Sequence, residues 1–251
     1  METKNEPELK IYYQPIVQPM FFKIIGYEAH ARLSEKGLGV ISQDIFFPLA
    51  EKAGLGVTLG KWLFEEVCVC VKKMISRERE FEYISVDMLT GQLKRKSIVK
   101  DLLNKTKEIG VPPDKICIEI HEDFFNLRAD IAVARIEELK NAGFKITLDN
   151  YSATYLALTK LDTVPIDIIK IAKPLIDRMV IDEKAMANIS AIINRAHELE
   201  IEVLADAVET KEQQLALMEL RCQKMQGPLF GKPINAREVY KPRLAKIAQE
   251  G

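Results

Sequence analysis

The chain has 251 residues, of which 47% are hydrophobic and 29% are charged, a composition typical of a soluble globular protein with a sizeable core. The 36 Lys and Arg residues against 37 Asp and Glu residues leave a net charge of −1, which argues against binding to nucleic-acid polymers or to an anionic membrane. No apolar run reaches the roughly 18 residues of a membrane span and the start METKNEPELK is unlike a signal peptide, so we expect a cytoplasmic protein.

The N-terminal part predicts two strands and two helices after a flexible tail at residues 1–8. The apolar runs LKIYYQPIV (9–17) and KIIGYEAHA (23–31) are separated only by QPMFF. Because this connection is too short for a crossover helix, the two strands are predicted to be antiparallel. Residues 43–53 and 57–74 then follow helical patterns, with Gly54 and Gly56 between them.

From residue 80 onward, short apolar strands alternate with helices, a rhythm typical of a parallel sheet with helices on its faces. One helix is predicted to end at Gly110, the next at Gly143, and a third places Met186, Ile189 and Ile193 on one stripe. The predicted strands are YISVDML (83–89), KICIEI (115–120), FKITLD (144–149), DIIKIA (167–172) and IEVLAD (201–206).

About eight such units in a chain of this length predict an α/β fold, a modified (β/α)8 TIM-like barrel with one antiparallel strand near the N-terminus. We expect one domain over residues 1–251. A doubly wound open sheet is the alternative, but no Gly-rich phosphate loop follows the first strand to support it.

Acidic residues stand at or near the ends of these strands, where a barrel places its active site. Several carboxylates brought together there repel one another unless a cation neutralises them, and hard oxygen ligands suit Mg²⁺, Mn²⁺ or Ca²⁺. The four cysteines form no C-x-x-C pair, which argues against zinc. Metal-assisted attack on a phosphodiester is the chemistry indicated; the alternative is that these residues simply cap strands at the solvent edge. The residues are Glu28, Asp87, Glu119, Asp149 and Asp206, with Lys170 among them.

Nine motifs, in order and spacing, resemble the EAL domain, the family of cyclic di-GMP phosphodiesterases, over nearly the whole chain. They are YYQPIV, GYEAHARL, FFPLAEKAGL, SVDMLTGQL, IEIHED, LDNYSATY, PIDIIKIAKPLI, LADAVET and QGPLFGKP. The resemblance implies a modified (β/α)8 barrel with one antiparallel strand.

The resemblance also implies roles for individual residues. A first Mg²⁺ or Mn²⁺ ion would be held by Glu28, Asp87, Glu119 and Asp149, although the family usually has Asn at the position of Asp87. Lys170 would help to orient the attacking water. The remaining implied positions are Glu209 and Gln226 in the catalytic pocket, Gln14, the adjacent Pro15 and Arg32 at the dinucleotide, and Glu122 in support of the loop after Asp149.

Several departures from the family pattern concern the chemistry itself. The family's paired aspartates are Asp149–Asn150 here, and Ala172 replaces another carboxylate, so the second metal site is expected to be lost. Asp206 replaces a Glu and is one methylene shorter, which puts its catalytic role in doubt. His30 replaces the Leu of the signature triplet and either contacts the ligand or fills the pocket. Ser152 and Thr154 replace glycines in the loop.

We therefore expect a degenerate EAL domain of cyclic di-GMP signalling with weak or absent phosphodiesterase activity, serving as a cyclic di-GMP receptor or a regulatory interaction module. A protein partner and a homodimer are further candidates. The alternative is an active metal-dependent phosphodiesterase that hydrolyses cyclic di-GMP to the linear dinucleotide.

Overall fold

The computed structural model describes residues 7–35, 37–154 and 156–240, without the side chains of residues 127 and 128. Of the predicted N-terminal tail, residues 1–6 lie outside the described residues, whereas Glu8 already begins the first strand. Within the described ranges, no helix is both long and apolar enough to cross a membrane.

From residue 56 to residue 225, at least one helical segment separates each strand from the next. The strands are β1 (Glu8–Gln18), β2 (Lys23–Glu35), β3 (Gly39–Ser42), β4 (Tyr83–Asp87), β5 (Ile116–His121), β6 (Lys145–Tyr151), β7 (Ile168–Ile171), β8 (Glu202–Ala205), β9 (Lys224–Met225) and β10 (Ile234–Asn235). The α-helices are α1 (Gln43–Lys52), α2 (Gly56–Ser76), α3 (Thr90–Leu93), α4 (Ile98–Ile109), α5 (Phe124–Asn141), α6 (Lys173–Arg178), α7 (Glu183–Glu198), α8 (Lys211–Glu219) and α9 (Ala236–Val239).

Eight of the strands close a barrel in the order β1-β9-β8-β7-β6-β5-β4-β2, because β2 also pairs with β1. β1 is antiparallel to both of its barrel neighbours, and the other pairs around the barrel are parallel. The predicted barrel with one antiparallel strand is thus confirmed. The short strands β3 and β10 pair with β2 and β1 outside the closed ring.

The prediction that Glu28 stands at or near the end of its strand is wrong, because Glu28 lies in the middle of β2. The strand continues to Glu35, since its second half pairs with the start of β1 on one side and with β3 on the other. Gly26 permits close approach to β4 just before Glu28, because a Cβ there would lie 2.5 Å from the carbonyl oxygen of Tyr83.

Apolar side chains fill both the barrel and the layer between barrel and helices, as the continuous hydrophobic strands predict. A buried cluster of Ile16, Ile25, Tyr83, Cys117, Ile168 and Leu204 is distinct from the larger cluster that includes helix residues such as Phe64 and Ile189. All four cysteines are buried free thiols. Helix α4 ends as predicted at Gly110, which adopts the left-handed conformation.

Candidate active site at the mouth of the barrel

A cleft of about 570 Å³ opens where the parallel strands end at their C-terminal side. This is the face that carries the active site in enzymes of the barrel fold. The predicted residues on its wall are Glu28, His30, Arg32, Asp87, Glu119, Asp149, Lys170, Ala172 and Asp206. The other predicted residues, Gln14, Pro15, Glu122, Glu209 and Gln226, are not on this wall.

Three of the predicted acids form a compact group from neighbouring strands. Glu28, Asp87 and Glu119 each offer a carboxylate oxygen, and these oxygens all lie within 4.8 Å of one another. Glu119 is 1% exposed, and its Oε1 has no hydrogen-bond partner among the described residues. A set of buried carboxylate oxygens with an unsatisfied acceptor fits a hard divalent cation such as Mg²⁺ or Mn²⁺.

Lys170 brings its positive charge directly into this group. Its Nζ lies 2.8 Å from Glu28 Oε2, 2.9 Å from Glu119 Oε2 and 3.4 Å from Asp149 Oδ1. Burial lowers the pKa of Lys170, but the surrounding carboxylates outweigh burial and raise that pKa well above its ordinary value. Lys170 is therefore charged at neutral pH, and Asp149 is connected to the other acids through it.

Burial and mutual repulsion make these carboxyl groups weak acids. Burial and the charge of Glu28 raise the pKa of Glu119 to about 8, against the opposing charge of Lys170. Burial, Glu119 and Glu28 likewise raise the pKa of Asp87 well above its ordinary value. Acids held close together in this way bind a proton or a cation readily.

Alternation along β2 places three polar residues on the cleft face. Glu28, His30 and Arg32 line the cleft, whereas Ala29 and Ala31 between them are completely buried, as a period of two requires. His30 Nε2 lies 3.8 Å from Glu28 Oε2. Burial, Lys170 and Arg32 together lower the pKa of His30 to about 3, so the ring is neutral at neutral pH.

Gln43, at the start of α1, is a site residue that the sequence reasoning missed. Its Nε2 donates to Asp87 Oδ2 at 2.6 Å, and its Oε1 accepts from the backbone N–H of Ala31 at 2.8 Å. The residue is only 5% exposed. It fixes the carboxylate of Asp87 relative to β2, and a glutamine opening a helix carries no sequence signal for this role.

Asn150, which follows Asp149, is linked through His121 to Asp123. Asn150 adopts a left-handed backbone conformation, with φ of 53°, and its Nδ2 lies 2.9 Å from His121 Nε2. His121 Nδ1 in turn lies 2.9 Å from Asp123 Oδ1. This His121 contact was also missed, because the sequence indicated only an ordinary surface or strand-end residue.

Glu122 holds the loop that follows β6. Its Oε2 accepts from the backbone N–H of Ser152 at 2.9 Å and from the Ser152 hydroxyl at 3.1 Å, and its Oε1 accepts from the N–H of Leu156 at 3.0 Å. The Ser152 hydroxyl also lies 2.7 Å from that of Thr154. The residues that replace glycines are thus part of the hydrogen bonding of this loop.

None of the three positions Ala172, Asp206 and Glu209 forms a hydrogen bond or ion pair with the acidic group among the described residues. Ala172 caps the N-terminus of α6 and is 4% exposed. Asp206 accepts a hydrogen bond at 2.6 Å from the N–H of Ala207, directly after it in the chain. Glu209 is exposed, and its nearest cation is Lys173, at 3.5 Å.

The remaining candidates lie around Glu28 and along β1. Gln226 is completely buried and donates from Nε2 to Glu28 Oε2 at 2.7 Å. Gln14 lies opposite Glu28 in the pairing of β1 and β2, and its Nε2 donates to the carbonyl of Gly231 at 3.4 Å. Pro15 follows it and is buried.

The chain is similar to known proteins in sequence and in fold. A family model described as the EAL domain matches residues 2–233. A bifunctional diguanylate cyclase/cyclic di-GMP phosphodiesterase, MucR of Pseudomonas aeruginosa, is 30% identical over 241 residues, which are 96% of this chain and 35% of that protein. The oxygen sensor protein DosP of Escherichia coli is 26% identical over 238 residues, 95% of this chain and 30% of that protein. The chain therefore spans about a third of the length of these relatives.

A solved structure described as the PaMucR phosphodiesterase in complex with c-di-GMP is also similar. It has a TM-score of 0.88 and 29% sequence identity, covering 92% of this chain and 94% of that chain.

Proposed function

The chain belongs to the EAL-domain family, and on that premise we propose that it is a cyclic di-GMP receptor domain whose phosphodiesterase activity is weak or absent. The similarity to MucR supports the choice of ligand, since MucR is described as a cyclic di-GMP phosphodiesterase and its structure as a c-di-GMP complex.

The observation that carries the loss of activity is the state of the two positions that would complete a second metal site. Asn150 offers a neutral amide that is bonded to His121, and Ala172 offers only a methyl group. Of the three positions Asp149, Asn150 and Ala172, only Asp149 keeps a carboxylate, and Lys170 lies 3.4 Å from it, so little negative charge is left to hold a second Mg²⁺ ion. Two-metal sites stabilise both the attacking and the leaving oxygen, so losing one ion removes much of this stabilisation.

The first metal site retains its ligands. Glu28, Asp87 and Glu119 would hold one Mg²⁺ or Mn²⁺ ion, with Asp149 close by. A divalent ion bound there supplies positive charge that polarises a phosphodiester oxygen or a water. Lys170 places a second positive charge 2.8 Å from Glu28, and Gln226 orients the same carboxylate.

The proposed nucleotide contact is made by Arg32, which the cleft retains. Arg32 lies on the cleft wall, and its guanidinium donates from NH1 to the carbonyl oxygen of Ala31 at 3.0 Å. Guanidinium groups bind phosphate through paired hydrogen bonds, so we assign the phosphate of the dinucleotide to Arg32. Gln14 and Pro15 are not on the cleft wall, and β1 places them opposite Glu28 and Tyr27 of β2.

An active phosphodiesterase is the second candidate. It is favoured by the compact group of Glu28, Asp87 and Glu119 with Lys170 in contact, which is the part of the site that a one-metal reaction would need.

A turnover assay separates the two candidates. The protein is incubated with cyclic di-GMP and excess Mg²⁺ or Mn²⁺, and the linear dinucleotide is quantified by chromatography. The variant Glu28→Gln provides the background rate, because it removes a charged ligand at similar volume. Equal rates for both proteins support the receptor, whereas turnover well above this background supports the phosphodiesterase.

A further inference from the structure

Three consecutive apolar side chains project from the turn between β1 and β2, and we call these residues the tip. Met20 is 70% exposed, Phe21 67% and Phe22 52%. At about 200 Å² for a residue of this size, the tip exposes roughly 400 Å² of mostly apolar surface. The largest apolar patch on a typical monomer measures about 300–600 Å² and often marks an interaction site.

The turn itself does not explain the aromatic residue at the end of the tip. Phe22 adopts a left-handed backbone conformation, with φ of 47°. Gly, Asn and Asp adopt this conformation more readily than a bulky residue does. The side chain of Phe22 therefore has a role outside the turn.

A cavity of about 480 Å³, which we call the hole, lies beside the tip. Residues 23–25 on its wall follow the tip directly in the chain, and the wall also includes Ile75, Arg79 and Phe81. Glu82 and Lys115, two further wall residues, directly precede β4 and β5. The hole therefore lies at the N-terminal ends of the parallel strands, opposite the end that carries active sites in this fold.

The hole is suited to aromatic rings. Isoleucine side chains and the ring of Phe81 form the apolar part of its wall. Because an apolar cavity of about 150 Å³ holds one benzene ring, there is room for the rings of Phe21 and Phe22. Arg79 makes no side-chain hydrogen bond or ion pair among the described residues, and a guanidinium group stacks favourably on an aromatic ring.

We propose that a second copy of this chain fills the hole, so that two copies form a symmetric dimer in which each tip enters the hole of the other copy. A two-fold interface is complementary to itself, and a projecting tip next to a receiving hole has this property. Two tips and the matching walls of two holes bury roughly 1,600 Å² in total, at roughly 400 Å² each, which is the standard size of a stable interface.

The charges around the hole favour a protein over an anionic membrane as the occupant. Lys23 pairs with Glu80 at 3.1 Å, and Glu82 pairs with Lys224 at 2.7 Å. A membrane-binding tip is strengthened by basic residues that face anionic lipid, whereas here Glu80 and Glu82 would face headgroups of like charge. The dimer also goes beyond the proposed function, because tip and hole lie at the end of the barrel opposite the cleft.

Sedimentation equilibrium of the whole chain, from low to high micromolar concentration, tests the dimer. We expect the wild type to dimerise. The double variant Phe21→Ser with Phe22→Asn should raise the dissociation constant at least roughly thirtyfold, because it removes two aromatic anchors. The variant should fold, since both side chains are exposed and Asn suits the backbone of residue 22.

A variant of the hole makes the test specific for tip and hole. Ile75→Glu places a charge on the wall of the hole at a residue that is 38% exposed, and it should weaken the dimer as well. A mixture of the tip variant with the Ile75 variant should form a heterodimer that is tighter than either homodimer, because one intact tip meets one intact hole.

Ile181→Ser is the matched control. Ile181 is 86% exposed, more than any residue of the tip, and it is not on the wall of the hole. This variant should dimerise like the wild type. An equal loss of dimer in the Ile181 variant would overturn the proposal.

The remaining outcomes each decide the proposal. A wild type that stays monomeric, or a dimer that the tip variant leaves unchanged, overturns it. A monomeric wild type that binds phosphatidylglycerol vesicles through the tip also overturns it and assigns the tip to a membrane. The monomeric tip variant should bind cyclic di-GMP as the wild type does; if neither binds, the proposed receptor fails while the dimer stands.

Discussion

The ammonium nitrogen of Lys170 lies 2.8 Å from Glu28 Oε2, inside the mouth of the barrel and almost fully shielded from solvent. The same nitrogen reaches Glu119 at 2.9 Å. One buried cation thus balances two carboxylates that would otherwise repel each other, and a divalent ion bound by Glu28 and Glu119 would share these ligands with Lys170.

Replacement of Lys170 by Met should destabilise the protein strongly in the presence of EDTA. The substitution keeps the length of the side chain but leaves Glu28 and Glu119 without their cation, which costs on the order of 3 kcal/mol for a buried pair. The free energy of unfolding, measured by urea denaturation at pH 8, tests this. Added Mn²⁺ should stabilise the variant more than it stabilises the wild type, because the ion no longer competes with an ammonium group.

Lys173→Met is the control for this prediction. Lys173 pairs with Asp177 and Glu209, but its side chain is 51% exposed, so its loss should change stability by no more than about 1 kcal/mol. Equal losses for both variants would contradict the account of Lys170.

The stability of the protein in EDTA should fall as the pH rises from about 6.5 to 8. Burial raises the pKa of Glu119 from 4.5 to about 8, so between these values the folded state keeps a proton that the unfolded chain releases, and rising pH favours unfolding. Burial lowers the pKa of His30 from 6.5 to about 3, which gives the opposite trend below pH 6.5. Only the decline remains above it, on the order of 1–2 kcal/mol.

Urea denaturation midpoints measured across this pH range show whether stability falls or rises with pH. Two variants separate the contribution of Glu119 from that of His30. Glu119→Gln should make the decline above pH 6.5 shallower, and Asp87, whose pKa is also raised, keeps part of the decline. His30→Leu should extend the decline down to about pH 4.5, because the opposing contribution is gone. A wild-type stability that increases from pH 6.5 to 8 would refute this interpretation.

Glu122→Gln should loosen the loop after β6. Each carboxylate oxygen accepts from one backbone N–H, that of Ser152 or that of Leu156. A glutamine amide has only one acceptor oxygen, so its NH₂ group would face the other N–H and that hydrogen bond would be lost. The loss costs about 1–3 kcal/mol locally. Hydrogen exchange at Ser152 and Leu156 should accelerate by roughly tenfold or more.

Glu51→Gln is the matched control for Glu122. Glu51 also lies at the cleft and accepts from one backbone N–H, that of Gly91, through Oε1 at 2.9 Å. A glutamine oxygen can keep this single bond, so exchange at Ser152 should stay at the wild-type rate. Unchanged exchange in the Glu122 variant would show that the loop is held by other contacts.

The double variant Asn150→Asp with Ala172→Asp should raise the rate of cyclic di-GMP hydrolysis. It restores two carboxylates beside Asp149, and a tenfold gain corresponds to about 1.4 kcal/mol of transition-state stabilisation. Both changes suit the backbone, because Asp tolerates the left-handed conformation of residue 150 and is favoured at the helix N-cap of residue 172.

The two single variants serve as controls, since each restores only one carboxylate and should give less than the pair. Initial rates with Mn²⁺, followed by chromatography, compare all four proteins. A double variant no faster than the wild type would mean that Asp206 or the altered loop limits the reaction instead of the second metal.

Much of this architecture could be predicted from the pattern of residues. The antiparallel start followed from a connection too short for a helix, and the barrel followed from regular strand–helix alternation. The predicted acids Glu28, Asp87 and Glu119 do lie together: Asp87 and Glu119 stand at or near the ends of neighbouring parallel strands, and Glu28 faces them from within β2. These features depend on local periodicity and on topology, both of which leave a trace in the order of residues.

Other features could not be predicted because they depend on side-chain directions in three dimensions. The strand expected to end near Glu28 continues to Glu35, since β3 provides a pairing partner that the pattern did not indicate. Gln43 reaches Asp87 from a helix 44 residues earlier in the chain. The contact between Asn150 and His121 likewise joins the ends of two strands, β6 and β5, that only the fold brings together.

The most direct test of the receptor is a calorimetric titration with cyclic di-GMP in the presence of Mn²⁺, followed by chromatography of the cell contents. We predict saturable binding with the cyclic dinucleotide recovered intact, and at least roughly tenfold weaker binding for Arg32→Ala, which loses a charged hydrogen-bond donor. Conversion of the nucleotide to its linear form, or the absence of any binding by the folded protein, would contradict the account.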